Sequence, residues 1–122
     1  MKVKKSTIKK LREICNESEE ERGGYVTEDG FVHEVENIHP QKDDNFMFSC
    51  EDLDKLEQDN VIATFHTHPK KTSNLSKEDY DAFVNWEKLL HFIIGKDTIS
   101  CYKVSERGTV VIEPIMESDD VC

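Results

Sequence analysis

Nowhere in its 122 residues does the chain carry the run of about 18 apolar side chains that a helical membrane span needs. Its opening stretch, MKVKKSTIKKLREIC, holds no apolar block of signal-peptide length either. These two absences predict a cytoplasmic protein with no membrane partner. A Cys-x-x-Cys pair is also lacking: Cys15, Cys50, Cys101 and Cys122 are widely scattered, which excludes a thiolate zinc knuckle and a dense disulfide framework and leaves free, mostly packed thiols. Glycine occurs five times and proline three times, too few for a flexible linker or a low-complexity block. Basic residues are outnumbered 16 to 26, giving a net charge of −10. Non-specific nucleic-acid affinity comes from Lys and Arg displacing counterions, so a nucleic-acid partner is not expected. Lys2, Lys4, Lys5, Lys9, Lys10 and Arg12 do crowd together, as the solvated face of a first helix or as a small basic patch.

What is present suffices for one domain. Apolar residues make up 36% of the chain, enough for a single thin core at this length. Ser6 reads as the cap of a helix whose apolar positions Ile8, Leu11, Ile14 and Cys15 fall on one stripe. Tyr25 to Thr27 and Phe31 to Ile38 flank Asp29-Gly30, a tight-hairpin signal. Residues His39 to Asn45 form a polar loop, and Phe46 to Ser49 a short strand. Ser49 with Asp52 opens a helix through Leu56. Val61 to His66 reads as an interior strand that Pro69 breaks. Lys70 to Leu75 is loop, and Ser76 with Asp79 opens a helix carrying Tyr80, Phe83 and Val84. Strands at Leu89 to Ile94, Thr98 to Val104 and Thr109 to Ile115 close the chain. The expected fold is therefore α+β, a single mixed β-sheet of about six strands packed by about three helices, over residues 1–115. Residues 116–122 read as a loose acidic tail.

The stretch that carries chemistry is His66-Thr67-His68-Pro69, followed after six residues by Ser76-Lys77-Glu78-Asp79. Residues i and i+2 of a strand project from one face, so His66 and His68 can present two imidazoles to one point. Asp79 sits one turn into the next helix, where the intervening loop can fold its carboxylate back as a third ligand. Three protein ligands leave the fourth position of a zinc ion for water, the layout of catalytic rather than structural sites. The bound water, its pKa lowered toward neutrality, becomes a nucleophile. Ser76 and Asp79 also read as a plain capping box, a role compatible with ligation.

This string resembles the signature of the JAMM, or MPN-plus, zinc metallopeptidases, and the likeness extends more loosely over about three-quarters of the chain. The resemblance implies the cytidine-deaminase-like MPN fold, one Zn2+ per chain held by His66, His68 and Asp79, and Ser76 as a group that helps stabilise the oxyanion. It also implies a general-base glutamate three residues before a glycine. Glu21-Arg22-Gly23-Gly24 matches that spacing, with Gly23 where the family often has cysteine, and assigns Glu21; the adjacent Glu19 and Glu20 keep the register open by a residue or two. The implied activity is a metallopeptidase or isopeptidase acting on a protein or peptide, ubiquitin-like proteins included. A chain this short has little room for the two insertions that grip ubiquitin chains, which suggests a compact prokaryotic or phage-type member.

The alternative is an MPN-type assembly scaffold, as in phage tail-tip assembly, although such members have usually lost metal ligands. A RadC-like protein shares the H-x-H-P element but usually continues with Ser-Gly and prolines, not Lys70-Lys71-Thr72. Barrel-type H-x-H hydrolases need several histidines downstream, and His91 alone follows His68. Deaminases need the P-C-x-x-C element missing here. His91, within Leu89 to Ile94, reads as a histidine satisfied by local hydrogen bonds. His33 and His39 lack ligand spacing. Tyr80, Phe83 and Trp86 read as core or groove lining, and Gly23-Gly24 as a site of close strand packing.

Overall fold

The structure, a computed structural model, describes residues 1–119. A six-stranded mixed sheet runs in the order β3 (Val32–Val35), β2 (Gly23–Thr27), β4 (Val61–His68), β5 (Leu90–Gly95), β6 (Ile99–Val104), β7 (Val110–Glu113). Three helices pack around it: α1 (Lys5–Glu17), α2 (Cys50–Lys55) and α3 (Lys77–Phe83). The α+β class with one main mixed sheet agrees with the sequence reading.

The interior position of β4 follows from its composition, since Val61 to Phe65 is a continuous apolar and β-branched run suited to burial on both faces. It lies antiparallel to β2 and parallel to β5, and the parallel step is made by a crossover through α3. Alternation along β4 divides the core. Ala63 and Phe65, both fully buried, meet Leu11 and Ile14 of α1 on one face. Thr64, His66 and His68 point to the other face, toward α2 and α3. The site is thus a consequence of period-two geometry acting on an eight-residue strand.

Close approach between strands requires the glycine pair. A Cβ at Gly24 would lie 1.9 Å from the His33 carbonyl oxygen, and one at Gly23 would lie 2.7 Å from both Phe46 and the Phe65 carbonyl oxygen. The hairpin expected at Asp29-Gly30 is present, with Gly30 in the left-handed region at φ 86°. The Asp29 carboxylate accepts from the Phe31 N–H and the Thr27 hydroxyl.

Three expectations need correction. Ser6 does not cap α1: the helix begins at Lys5 after an extended Lys4, because Lys2–Lys4 is a strand (β1) held by Met116–Ser118 (β8). That parallel pair is a second, two-stranded sheet beside the main one, and the tail is accordingly not loose over residues 116–118. Residues 120–122, including Cys122, lie outside the described residues. Phe46 to Ser49 is not a strand. The Asn37 side chain takes the place of a ladder partner, its Oδ1 accepting from the Met47 and His39 N–H groups at 3.2 and 3.0 Å. Among the described residues, Cys15, Cys50 and Cys101 are free thiols, and burial pushes the Cys101 thiol up to about 12.

Candidate metal centre

His66 and His68 lie at the carboxyl end of β4, where it runs beside the parallel strand β5. Such strand ends are where open α/β sheets present ligand sites. Their Nε2 atoms are 3.2 Å apart and buried. Asp79 reaches both from the first turn of α3, with Oδ1 3.0 Å from the His66 Nε2 and Oδ2 3.4 Å from the His68 Nε2. The capping box is what aims it. Asp79 N–H donates to the Ser76 hydroxyl at 3.1 Å, and Ser76 N–H donates to Asp79 Oδ2 at 2.9 Å. One carboxylate therefore ends the backbone of α3 and faces both imidazoles.

Glu21 completes the cluster. It is 4% exposed, and ligand atoms of Glu21, His66 and His68 all lie within 4.8 Å of one another, so these three residues can hold a metal ion. Its main chain is pinned on both sides. Glu21 N–H donates to the Lys42 carbonyl, and the Glu21 carbonyl accepts from the Asn37 side-chain amide, each at 2.8 Å. Of the neighbouring acids that left the register open, Glu19 and Glu20 are exposed and outside this cluster.

The donor set fits a cation. The His68 Nδ1 faces the Thr72 carbonyl oxygen at 3.0 Å, an acceptor, so Nδ1 carries the proton and a neutral ring turns its Nε2 lone pair inward. There it meets the His66 Nε2 and a carboxylate oxygen, an arrangement of electron pairs that calls for a positive charge between them. With no cation between these groups, a proton takes that place. Burial opposes the imidazolium of His68, but hydrogen bonds to Asp79 and Thr72 outweigh it and raise its pKa. Burial likewise opposes the Asp79 carboxylate, yet the hydrogen bonds from His66 and His68 hold it far below the usual range. Glu21 moves the other way: desolvation raises its pKa, only partly offset by the two imidazoles. A site that grips a proton this firmly is built from the groups that also grip a metal.

Several contributors lack any local sequence signal. The loop between Pro69 and Ser76 is nailed to the sheet at Ser73, whose N–H donates to Asp97 at 2.9 Å and whose carbonyl accepts from the Tyr102 hydroxyl at 2.9 Å. This anchor positions the Thr72 carbonyl. Gly95, paired with His68 in register, makes room for it, since a Cβ there would lie 2.3 Å from the Ser73 nitrogen. Phe46 lies nearly parallel to the His66 ring at a 6.4 Å centroid separation. Arg22 forks onto Glu34 and also bonds Glu17, fixing the approach to β2. Asn37 falls within Phe31 to Ile38, read as the second arm of the hairpin, but β3 ends at Val35.

His91 is not part of the cluster. Its Nδ1 is 2.7 Å from the Thr64 hydroxyl and its Nε2 3.1 Å from the Trp86 carbonyl, the local satisfaction its sequence context suggested. Its ring stacks on Phe83 at 4.2 Å, and burial pushes its pKa down to about 4.

An α/β/α arrangement with a buried His-His-carboxylate cluster at the end of a central strand is the class that fold and site define. No family model matches the chain, and no curated protein matches it. Among solved structures, the solution structure of protein DSY2949 from Desulfitobacterium hafniense, a structural genomics target, is similar over 98% of this chain and 94% of that chain. The TM-score is 0.69 at 16% identity, a likeness of fold alone. No helix among the described residues is long and apolar enough to cross a membrane.

Proposed function

We propose that this chain is a zinc-dependent peptidase or isopeptidase of the JAMM type, with His66, His68 and Asp79 as metal ligands and Glu21 as general base. The observation that carries this reading is the meeting of His66 and His68 with both the Asp79 carboxylate from α3 and the Glu21 carboxylate from the segment before β2. Two imidazoles and a carboxylate suit zinc with one position left open. When bound, zinc supplies Lewis acidity that polarises a carbonyl and brings a water's pKa toward neutrality.

The protein's own groups then have defined tasks. A Glu21 carboxylate oxygen takes the proton of the attacking water as its oxygen adds to the amide carbon. The same oxygen returns the proton to the leaving nitrogen as the C–N bond breaks, giving an acid and an amine. A base poised nearer neutrality than an ordinary glutamate does this better, and burial moves Glu21 in that direction. Ser76 stands at the rim of the cavity with its hydroxyl accepting in the cap, which leaves its O–H proton to donate to the developing oxyanion. The assembly-scaffold alternative has no use for a buried, fully formed donor cluster.

The test compares hydrolysis of a library of peptide and ubiquitin-like fusion substrates by zinc-loaded wild type and Glu21→Gln. The expected result is cleavage by wild type and a loss of at least about a hundredfold in the variant, with metal retained. Equal turnover by the two proteins removes Glu21 from the mechanism, and no cleavage of any substrate removes the peptidase reading.

A further inference from the structure

The metal cluster lines a cavity of about 930 Å³, one part of which extends along β4 from His66 toward Thr64. Thr64, two residues before His66 and on the same face, lies about 6.6 Å further along the strand. It forms the floor there together with His91. Phe48, Leu53, Leu56 and Trp86, which belong to one apolar cluster, line it together with Phe83.

The polar atoms of that floor are already spent. The Thr64 hydroxyl and the His91 Nδ1 bond each other, and the His91 Nε2 bonds the Trp86 carbonyl. A polar or charged side chain resting on this floor would lose water and gain no bond from Thr64 or His91, whereas an apolar one would exchange water for aromatic and aliphatic walls. Apart from Glu21 and Asp79, the charged groups of the lining, Asp44, Lys71 and Glu78, are exposed.

We infer that the apolar part of this cavity, around Thr64 and His91, is a specificity pocket for one large apolar side chain, leucine or phenylalanine in kind, carried by the substrate next to the scissile amide. The inference rests on the hydrolase reading and adds the substrate class. It makes the floor and walls beyond the ligands the determinant of which peptide is accepted.

Trp86 is the only tryptophan in the chain and its fluorescence reports occupancy. Acetylated pentapeptide amides Ala-Ala-X-Ala-Ala, with X as Gly, Ala, Leu, Phe, Lys or Glu, are titrated into zinc-loaded Glu21→Gln protein. The expected result is binding about ten- to a hundredfold tighter for Leu and Phe than for Gly, Lys or Glu. Ala82→Phe, at an exposed position on the cavity wall, is expected to erase that preference while zinc content is unchanged. Equal affinity across the series, no binding by any member, or a preference for Lys or Glu overturns the pocket. Ordered binding of peptides that wild type does not cleave leaves the pocket standing and removes the peptidase reading. Cleavage indifferent to X does the reverse.

Discussion

Arg22 and Thr67 are joined twice. The Arg22 N–H donates to the Thr67 hydroxyl at 2.9 Å, and the Thr67 N–H donates to the Arg22 carbonyl at 2.8 Å. Thr67 is the residue between the two histidines, and Arg22 directly follows Glu21. This double link is what brings the glutamate alongside the imidazoles, so the hydroxyl of a fully buried threonine on the far face of β4 sets the geometry of the near face.

Thr67→Val keeps the shape and removes the acceptor, leaving the Arg22 N–H without its partner. The expected loss is about 1–3 kcal/mol in urea unfolding, with slower peptide hydrolysis although neither the base nor a metal ligand has changed. Thr67→Ser should recover most of both. Unaltered turnover in the valine variant would show that Glu21 is positioned by other contacts.

Gly95→Ala places a methyl group against the backbone nitrogen of Ser73, which cannot turn aside as a side-chain tip can. The loop must shift and the Thr72 carbonyl moves away from His68. Destabilisation of about 1–3 kcal/mol is expected, with metal affinity reduced about ten- to a hundredfold, as when a ligand's orienting partner is lost. Isothermal titration with the metal on the folded variant checks the second effect separately from the first.

His91 supplies a pH dependence of stability. Its pKa is held near 4 in the folded chain, below its ordinary value, so between those two values the unfolded chain binds the extra proton. Stability from this group is therefore complete above about pH 6.5 and falls as the pH drops toward 4. Denaturant unfolding of wild type and His91→Gln across that range should give slopes that diverge by on the order of 3 kcal/mol in total. Parallel curves would mean that the His91 environment does not exclude the charged ring.

Much of this arrangement is legible in the residues themselves, and the reasons are local. Ser49 and Ser76 announce their helices because each hydroxyl accepts from the N–H three residues on. The apolar run ending in His-x-His predicts a buried strand with two imidazoles on one face. By contrast, β1 is Lys-Val-Lys and exists through its pairing with β8 across the length of the chain. Phe46 to Phe48 has strand-like composition, but the Asn37 side chain occupies its backbone. The Ser73 anchor joins residues more than twenty positions apart, a link no periodicity encodes.

Asp79→Asn retains the shape of the α3 cap but removes the anionic oxygen pair that faces both imidazoles. The most direct measurement is zinc content by elemental analysis of gel-filtered wild type and Asp79→Asn, with circular dichroism to establish that both are folded. About one zinc per wild-type chain and substantially less in the variant is the predicted result. A folded wild-type protein that retains no zinc from zinc-supplemented buffer, or a variant that holds it equally well, would contradict the assignment of His66, His68 and Asp79 as a metal centre.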